Sequence, residues 1–222
     1  MAILERVQQP VAVYDLDGVL TRRDTMMWFI GRRLARAPWR LFTAIPWLIL
    51  MMTAVGNERR ASAARRVIET ALRGVIDPAY TAAATTFGRQ VAASARWMRT
   101  GTVDRIRQQA AGGVTIVIAT ATERRLAESL LRTAQVPYDE LSASIFTESS
   151  AGMAVRDHRI GARKVDALVE NGVPISGAEF VTDSVVDLPT ARQAHTVTLI
   201  GASRRTRDSY ADAGMCAGTF DA

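Results

Sequence analysis

Apolar residues along the chain fall into two rhythms. Short unbroken runs, "VAVYD" (11–15), "GGVTIVIATAT" (112–122), "AEFVTD" (178–183) and "HTVTLI" (195–200), read as buried strands because they are brief, apolar and bounded by glycine or polar residues. Helical patterns lie between them. "TERRLAESLLRTA" (122–134) offers Thr122 as an N-cap and Glu123 in the first turn, and "RKVDALVENG" (163–172) ends on an Asn-Gly stop. Strands alternating with helices predict an α/β fold with a parallel sheet of βαβ units. Ligands of such sheets gather beyond the carboxyl ends of the strands, where Asp15, Thr120 and Asp183 all fall.

Residues 24–110 break this rhythm, with several helical segments and no convincing strand. "DPAYTAAATTFGRQVAASARWM" (77–98) opens with Asp77 and Pro78, a good pair for a helix start. The pattern predicts a core formed by 1–23 and 111–222, interrupted by a helical insertion at 24–110. There is no internal repeat and no low-complexity linker.

Composition excludes a disordered majority: 48% of the 222 residues are hydrophobic and 23% are charged. Cys216 is the single cysteine, so an intramolecular disulfide is impossible and a reducing compartment is the default. Glu5 and Arg6 interrupt the stretch where a signal peptide needs an apolar run, which predicts a cytoplasmic protein. A net charge of +6 and a pI near 10.3 invite a nucleic-acid reading. The basic residues nevertheless cluster around apolar sequence without an interleaved stacking platform, so no nucleic-acid partner is expected. Of 28 Lys plus Arg, Lys164 is the only lysine and the other 27 are arginine. Coding bias accounts for most of that, yet a lysine retained against it marks a place where a compact ammonium is needed and a planar guanidinium does not fit.

Read in order, one set of residues converges on a single sheet edge: Asp15 and Asp17 after the first strand, Thr120 after the second, Lys164 opening a helix, and Asp183 and Asp187 after the third. Each alone has a plainer reading as a turn residue or helix cap. Together, "DLDGVLT", "VIAT", "GARKVDALV" and "VTDSVVDLP" resemble the four motifs of the haloacid dehalogenase-like phosphohydrolases, over nearly the whole chain. The resemblance implies a Rossmann-like three-layer α/β/α core with a mobile cap. It is similar to the phosphoserine-phosphatase-like branch, whose cap sits where the 24–110 insertion lies, and to bacterial lipid-phosphate phosphatases.

That resemblance implies a Mg²⁺-dependent phosphomonoesterase. Asp15 would be the nucleophile and form an aspartyl-phosphate. Asp17 would protonate the leaving oxygen and then deprotonate water. Thr120, with Ala121 beside it, and Lys164 would bind the phosphate. Mg²⁺ would be held at Asp15, Asp17 (through its backbone carbonyl), Asp183 and Asp187, and it would make closely spaced carboxylates tolerable. Asp187 would act through a bound water or orient Lys164, or is simply a first-turn carboxylate. Thr120 has the alternative of capping the helix that follows. Thr182 stands where glycine is common, and Val186 stands where phosphoserine phosphatases carry asparagine. Asp24, with Arg23, occupies the substrate-choosing position, although an Asp before an apolar helix is also an ordinary N-cap. The same residues leave room for a phosphotransferase, or for a non-catalytic phosphate- or lipid-binding protein that keeps the fold.

The segment from Leu41 to Asn57 holds 17 residues without a charge. As a helix it would reach about 25 Å, short of the roughly 30 Å hydrocarbon core, and Pro46 interrupts it. Trp28, Trp39 and Trp47 lie in or near it and arginines flank it. Two readings stay open: the buried seam of a helical cap, or peripheral contact of residues 38–56 with the inner face of an anionic membrane. The second would make a phosphorylated lipid, rather than a small phosphometabolite, the substrate.

Overall fold

Val11–Tyr14 (β1) carries four consecutive buried side chains, a pattern stable only where both faces of a strand are covered. It lies at the centre of a seven-stranded sheet in the computed structural model, which describes residues 9–220. Glu5 and Arg6, on which the expectation about secretion rests, lie outside the described residues. The other strands are Thr115–Glu123 (β2), Glu140–Ser149 (β3), Gly152–Asp157 (β4), Ala178–Thr182 (β5), Thr196–Ile200 (β6) and Ala217–Phe220 (β7). Their order is β4-β3-β2-β1-β5-β6-β7, with only β3 and β4 antiparallel. Val13 is in register with Val117 of β2 and Phe180 of β5, which aligns the carboxyl ends of the three strands that lead into the site.

The helices are Thr25–Ala35 (α1), Pro38–Thr53 (α2), Asn57–Ala71 (α3), Asp77–Ala92 (α4), Thr100–Ala111 (α5), Arg124–Thr133 (α6), Ala162–Glu170 (α7), Leu188–Ala191 (α8) and Arg204–Asp212 (α9). Alternation along β1 sends Val11 and Val13 to one face of the sheet, with Leu168 of α7, Ala191 of α8 and Tyr210 of α9. Ala12 and Tyr14 face the other side, with Ile106 of α5 and Leu126 and Leu130 of α6. This is the expected three-layer α/β/α core. The second cluster continues without a break into Phe29, Tyr80 and Phe87 of the helical insertion, so the insertion and the sheet share one core. Each such side chain contributes about 1.5–3 kcal/mol on burial.

Several expectations need correction. Thr122 does not cap α6: the helix starts at Arg124, and buried Glu123 caps it by accepting from the amides of Arg125 and Leu126. Glu123 also accepts from the Tyr80 hydroxyl and pairs with Arg125, which ties α4 to the start of α6. The expected insertion boundary at 110 falls inside the core, because α5 packs on β2. Gln109 of α5 accepts from the Tyr14 hydroxyl at 2.6 Å, and Arg105 bridges to Glu179 of β5 at 2.7 Å. The helix expected over 77–98 stops at Ala92. Close packing of α4 on α6 depends on Gly88, where a Cβ would stand 2.8 Å from the Leu126 carbonyl oxygen. The seam reading of 38–56 holds for one face only: Ala44 is buried with Leu48 packed beside it, whereas Phe42 and Met52 are exposed.

Candidate active site

Asp15 follows β1 directly, and its amide still bonds to the Val181 carbonyl, so the sheet itself fixes its position. The chain then turns through Gly18 (φ +79°) toward α1. The Asp15 carboxylate accepts from the Leu16 amide at 2.8 Å and lies 3.3 Å from the Lys164 ammonium. Only 6% of Asp15 and 2% of Lys164 are exposed. Asp187 grips Lys164 from the other side, at 2.8 and 2.9 Å through its two oxygens, and accepts from the Thr182 hydroxyl at 2.8 Å. Thr182, the departure from the glycine common in the fourth motif, is therefore a buried donor that orients Asp187.

Asp17 is held more tightly than the sequence suggests. One oxygen accepts from the Thr25 amide and hydroxyl, both at 2.7 Å, and the other from the Thr122 hydroxyl at 2.6 Å. Sequence reading passed over Thr25 and took Thr122 only for a helix cap. The available signal was that "RRDT" and "ATAT" both place a hydroxyl beside a motif already in view. Asp15, Asp17, Asp183, Asp187, Ala121 and Lys164 line one cleft of about 320 Å³, with Gly18, Arg22, Arg23 and Asp24 also on its wall. Thr120 does not line it: it is fully buried, and its hydroxyl oxygen accepts from the Thr122 amide at 3.0 Å. It is not a helix cap either, since Glu123 has that role.

At the mouth, Asp24 caps α1, its side chain accepting from the Met27 amide at 2.7 Å. Solvent reaches it, yet the surrounding protein, and then Asp17, push its carboxyl up to about 7. Arg23 also lines the mouth, with its guanidinium 5.0 Å from the Trp28 ring centre and 5.8 Å from that of Trp97.

A family model for haloacid dehalogenase-like hydrolases matches residues 12–192, which take in every residue of this cleft. The chain belongs to that family. Among solved structures, this hydrolase is similar to a protein of unknown function from Bordetella pertussis Tohama I, with a TM-score of 0.72, 18% identity and coverage of 95% of this chain and 98% of that one. It is also similar to a phosphoserine phosphohydrolase-like protein from Francisella tularensis (TM-score 0.66, 11% identity, 96% and 95% covered). A phosphoserine phosphatase described as a phospho-aspartyl intermediate analogue aligns at a TM-score of 0.62 and 9% identity, over 95% and 93% of the two chains. Among curated proteins none matches.

The hydrolase's cleft crowds several carboxyl groups around the single ammonium of Lys164. Burial first, and then Asp187, Asp183 and Asp17, push the Asp15 carboxyl well up, against the opposing pull of Lys164. Burial also raises Asp17, despite its threonine donors. Burial, Asp187 and Asp17 bring Asp183 to about 7. Burial alone would lower Lys164, but Asp15 and Asp187 more than offset it and keep it charged. Among the described residues no three His, Cys, Asp or Glu side chains converge into a ready-made metal cage. Both oxygens of Asp187 are engaged by Lys164, and those of Asp17 by threonines, which leaves the Asp17 carbonyl rather than its carboxylate for a metal and gives Asp187 the task of orienting Lys164. What remains fits Mg²⁺, which takes few carboxylates and completes its shell with a carbonyl and waters. Asp15, Asp183 and the Asp17 carbonyl are the donors left for it.

Gly18 lets Asp183 come close, because a Cβ on it would stand only 2.0 Å from the Asp183 carboxylate. Gly18→Ala should therefore move Asp183 and strain the turn. Hydrolysis of an aryl phosphate is expected to fall by about 10²-fold or more, with a smaller loss in melting temperature.

Proposed function

We propose that this hydrolase cleaves phosphomonoesters through an aspartyl-phosphate on Asp15. The observation that carries the reading is the joint placement of Asp15 against Lys164 and of Asp17 clamped by Thr25 and Thr122, in a single cleft. The Asp15 oxygen attacks phosphorus and the bond to the alcohol oxygen breaks as Asp17 hands that oxygen a proton. Water then attacks the same phosphorus, Asp17 takes the proton back, and the Asp15 oxygen leaves, releasing phosphate. The raised carboxyl of Asp17 suits it to hold that proton. Lys164 neutralises the nucleophile and the transferring group, while Asp187 and Thr182 keep it in place. Asp15, Asp183 and the Asp17 carbonyl would hold Mg²⁺, which would supply charge neutralisation there. Ala121, on the cleft wall, offers its amide to the phosphate, and the buried Thr120 hydroxyl supports that turn.

Metal binding should show in stability. The Asp183 carboxyl is raised in the folded chain, so its contribution is complete at low pH and is lost as pH rises from its ordinary 3.8 through about 7. Mg²⁺ binds the ionised form and opposes that loss. The gain in melting temperature on adding Mg²⁺ is expected to be larger near pH 8 than near pH 5.5. Equal gains at both would count against Asp183 as a ligand.

For the substrate, an apolar-tailed phosphate is favoured over phosphoserine. Next to the catalytic cleft, and sharing Asp17, Asp24, Ala121, Ile160 and Val186 with it, lies a cavity of about 210 Å³ walled by Met26, Met27, Met51 and Ile68. The methionine and isoleucine part of this wall complements methylene groups, and Arg60 and His158 complete it. A Mg²⁺ assay over phosphoserine, sugar phosphates and phosphatidylglycerol phosphate tests this. The lipid phosphate should have the highest kcat/KM; preference for phosphoserine would overturn the lipid reading and leave the chemistry standing.

A further inference from the structure

We infer that α2 is a docking helix that lies in the surface of an anionic bilayer, an assignment that does not depend on the substrate. One face of α2, with Ala44 buried and Leu48 and Met51 half-buried, turns inward, and the helix packs chiefly on α3. A second face is apolar and bare: Phe42, Ile45, Ile49 and Met52 follow one another at helical spacing, with Phe42 73% and Met52 78% exposed. Trp39 and Trp47 flank the stripe and are exposed as well. A stripe of this kind on a free surface is far larger than scattered apolar exposure requires. No helix among the described residues is long and apolar enough to cross a membrane, so α2 can lie on a bilayer but not span it.

Charge selects the occupant. From Thr25 to Asn57 the chain has no acidic residue, and Arg32, Arg33, Arg36 and Arg40 sit where α1 hands over to α2. Among the described residues none of these four pairs with a carboxylate, and the Nε atoms of Arg33 and Arg40 are buried with no hydrogen-bond partner. Burial and then the neighbouring Arg40 work against the Arg33 charge, a conflict that an anionic head group relieves. A second copy seated on the same stripe would bring two such arginine groups together, whereas phosphatidylglycerol supplies both the apolar layer and the negative charge.

The full chain should float with vesicles of phosphatidylcholine mixed with phosphatidylglycerol, bind phosphatidylcholine alone far more weakly, and be released by salt. F42S with M52S should lower partitioning about tenfold or more, and R32Q with R36Q should lower it about tenfold on the anionic vesicles only. All four residues are clear of the cleft, so aryl-phosphate turnover and the melting curve should stay at wild-type values, which shows the variants are folded. Loss of flotation with turnover intact supports the docking helix whatever the substrate proves to be. Flotation unchanged in both double variants, or no flotation of the parent chain, would overturn it. So would a dimer of the parent chain that F42S with M52S dissolves while vesicles are ignored, an outcome that gives the face to a second copy.

Discussion

Asp15→Asn should leave a folded protein that has lost aryl-phosphate hydrolysis by about 10⁴-fold or more. The fold is expected to tolerate the change because burial already disfavours the charge on Asp15, and asparagine is a neutral residue of the same shape. Lys164 keeps its contacts with both Asp187 oxygens, so the buried ammonium is not orphaned. What disappears is an oxygen that can form a bond to phosphorus and later release it. Turnover within tenfold of the parent protein, at an unchanged melting temperature, would remove Asp15 from the mechanism.

The second large effect is expected at Lys164. Lys164→Arg retains a positive charge yet should lower kcat about 10²-fold or more, because the planar guanidinium is too large for a pocket that leaves Lys164 2% exposed between two carboxylates. In Lys164→Met the charge goes too. Asp187 then loses its buried partner, and stability should drop by about 3–5 kcal/mol in urea unfolding. The contrast between the two variants separates size from charge: the arginine variant should keep more stability than the methionine variant while losing most of its activity. Full activity with arginine would mean that the lone lysine among 27 arginines is an accident of coding.

Much of this site was legible because the chemistry sits where elements change. Asp15, Asp183 and Lys164 end strands or open a helix, and the shift from period two to period 3.6 is itself a sequence signal. The central strands were legible for the same reason, as short buried runs. The β3–β4 hairpin was not, since "ELSASIFTES" mixes serines with apolar residues; Ser142 and Ser144 are buried polar positions satisfied by Arg159, a pairing that spacing does not reveal. Thr25 and Thr122 act through contacts 8 and 105 residues away from Asp17, and threonine in a strand or first turn has no distinctive pattern. The boundary at α5 was missed because a helix that covers a sheet and a helix within a bundle present the same apolar stripe. For α2 the sequence left two readings; burial leaves an apolar stripe facing outward, which speaks against a wholly buried seam, and the vesicle experiment tests membrane contact.

Two successive in-line displacements at one phosphorus are the central claim, and stereochemistry tests them most directly. A phosphomonoester made chiral with oxygen isotopes and sulfur would be hydrolysed in the presence of Mg²⁺ and the configuration of the product determined. Transfer to Asp15 followed by transfer to water inverts phosphorus twice, so overall retention is the predicted result. Inversion would mean that water attacks the ester in a single step, and it would contradict the account.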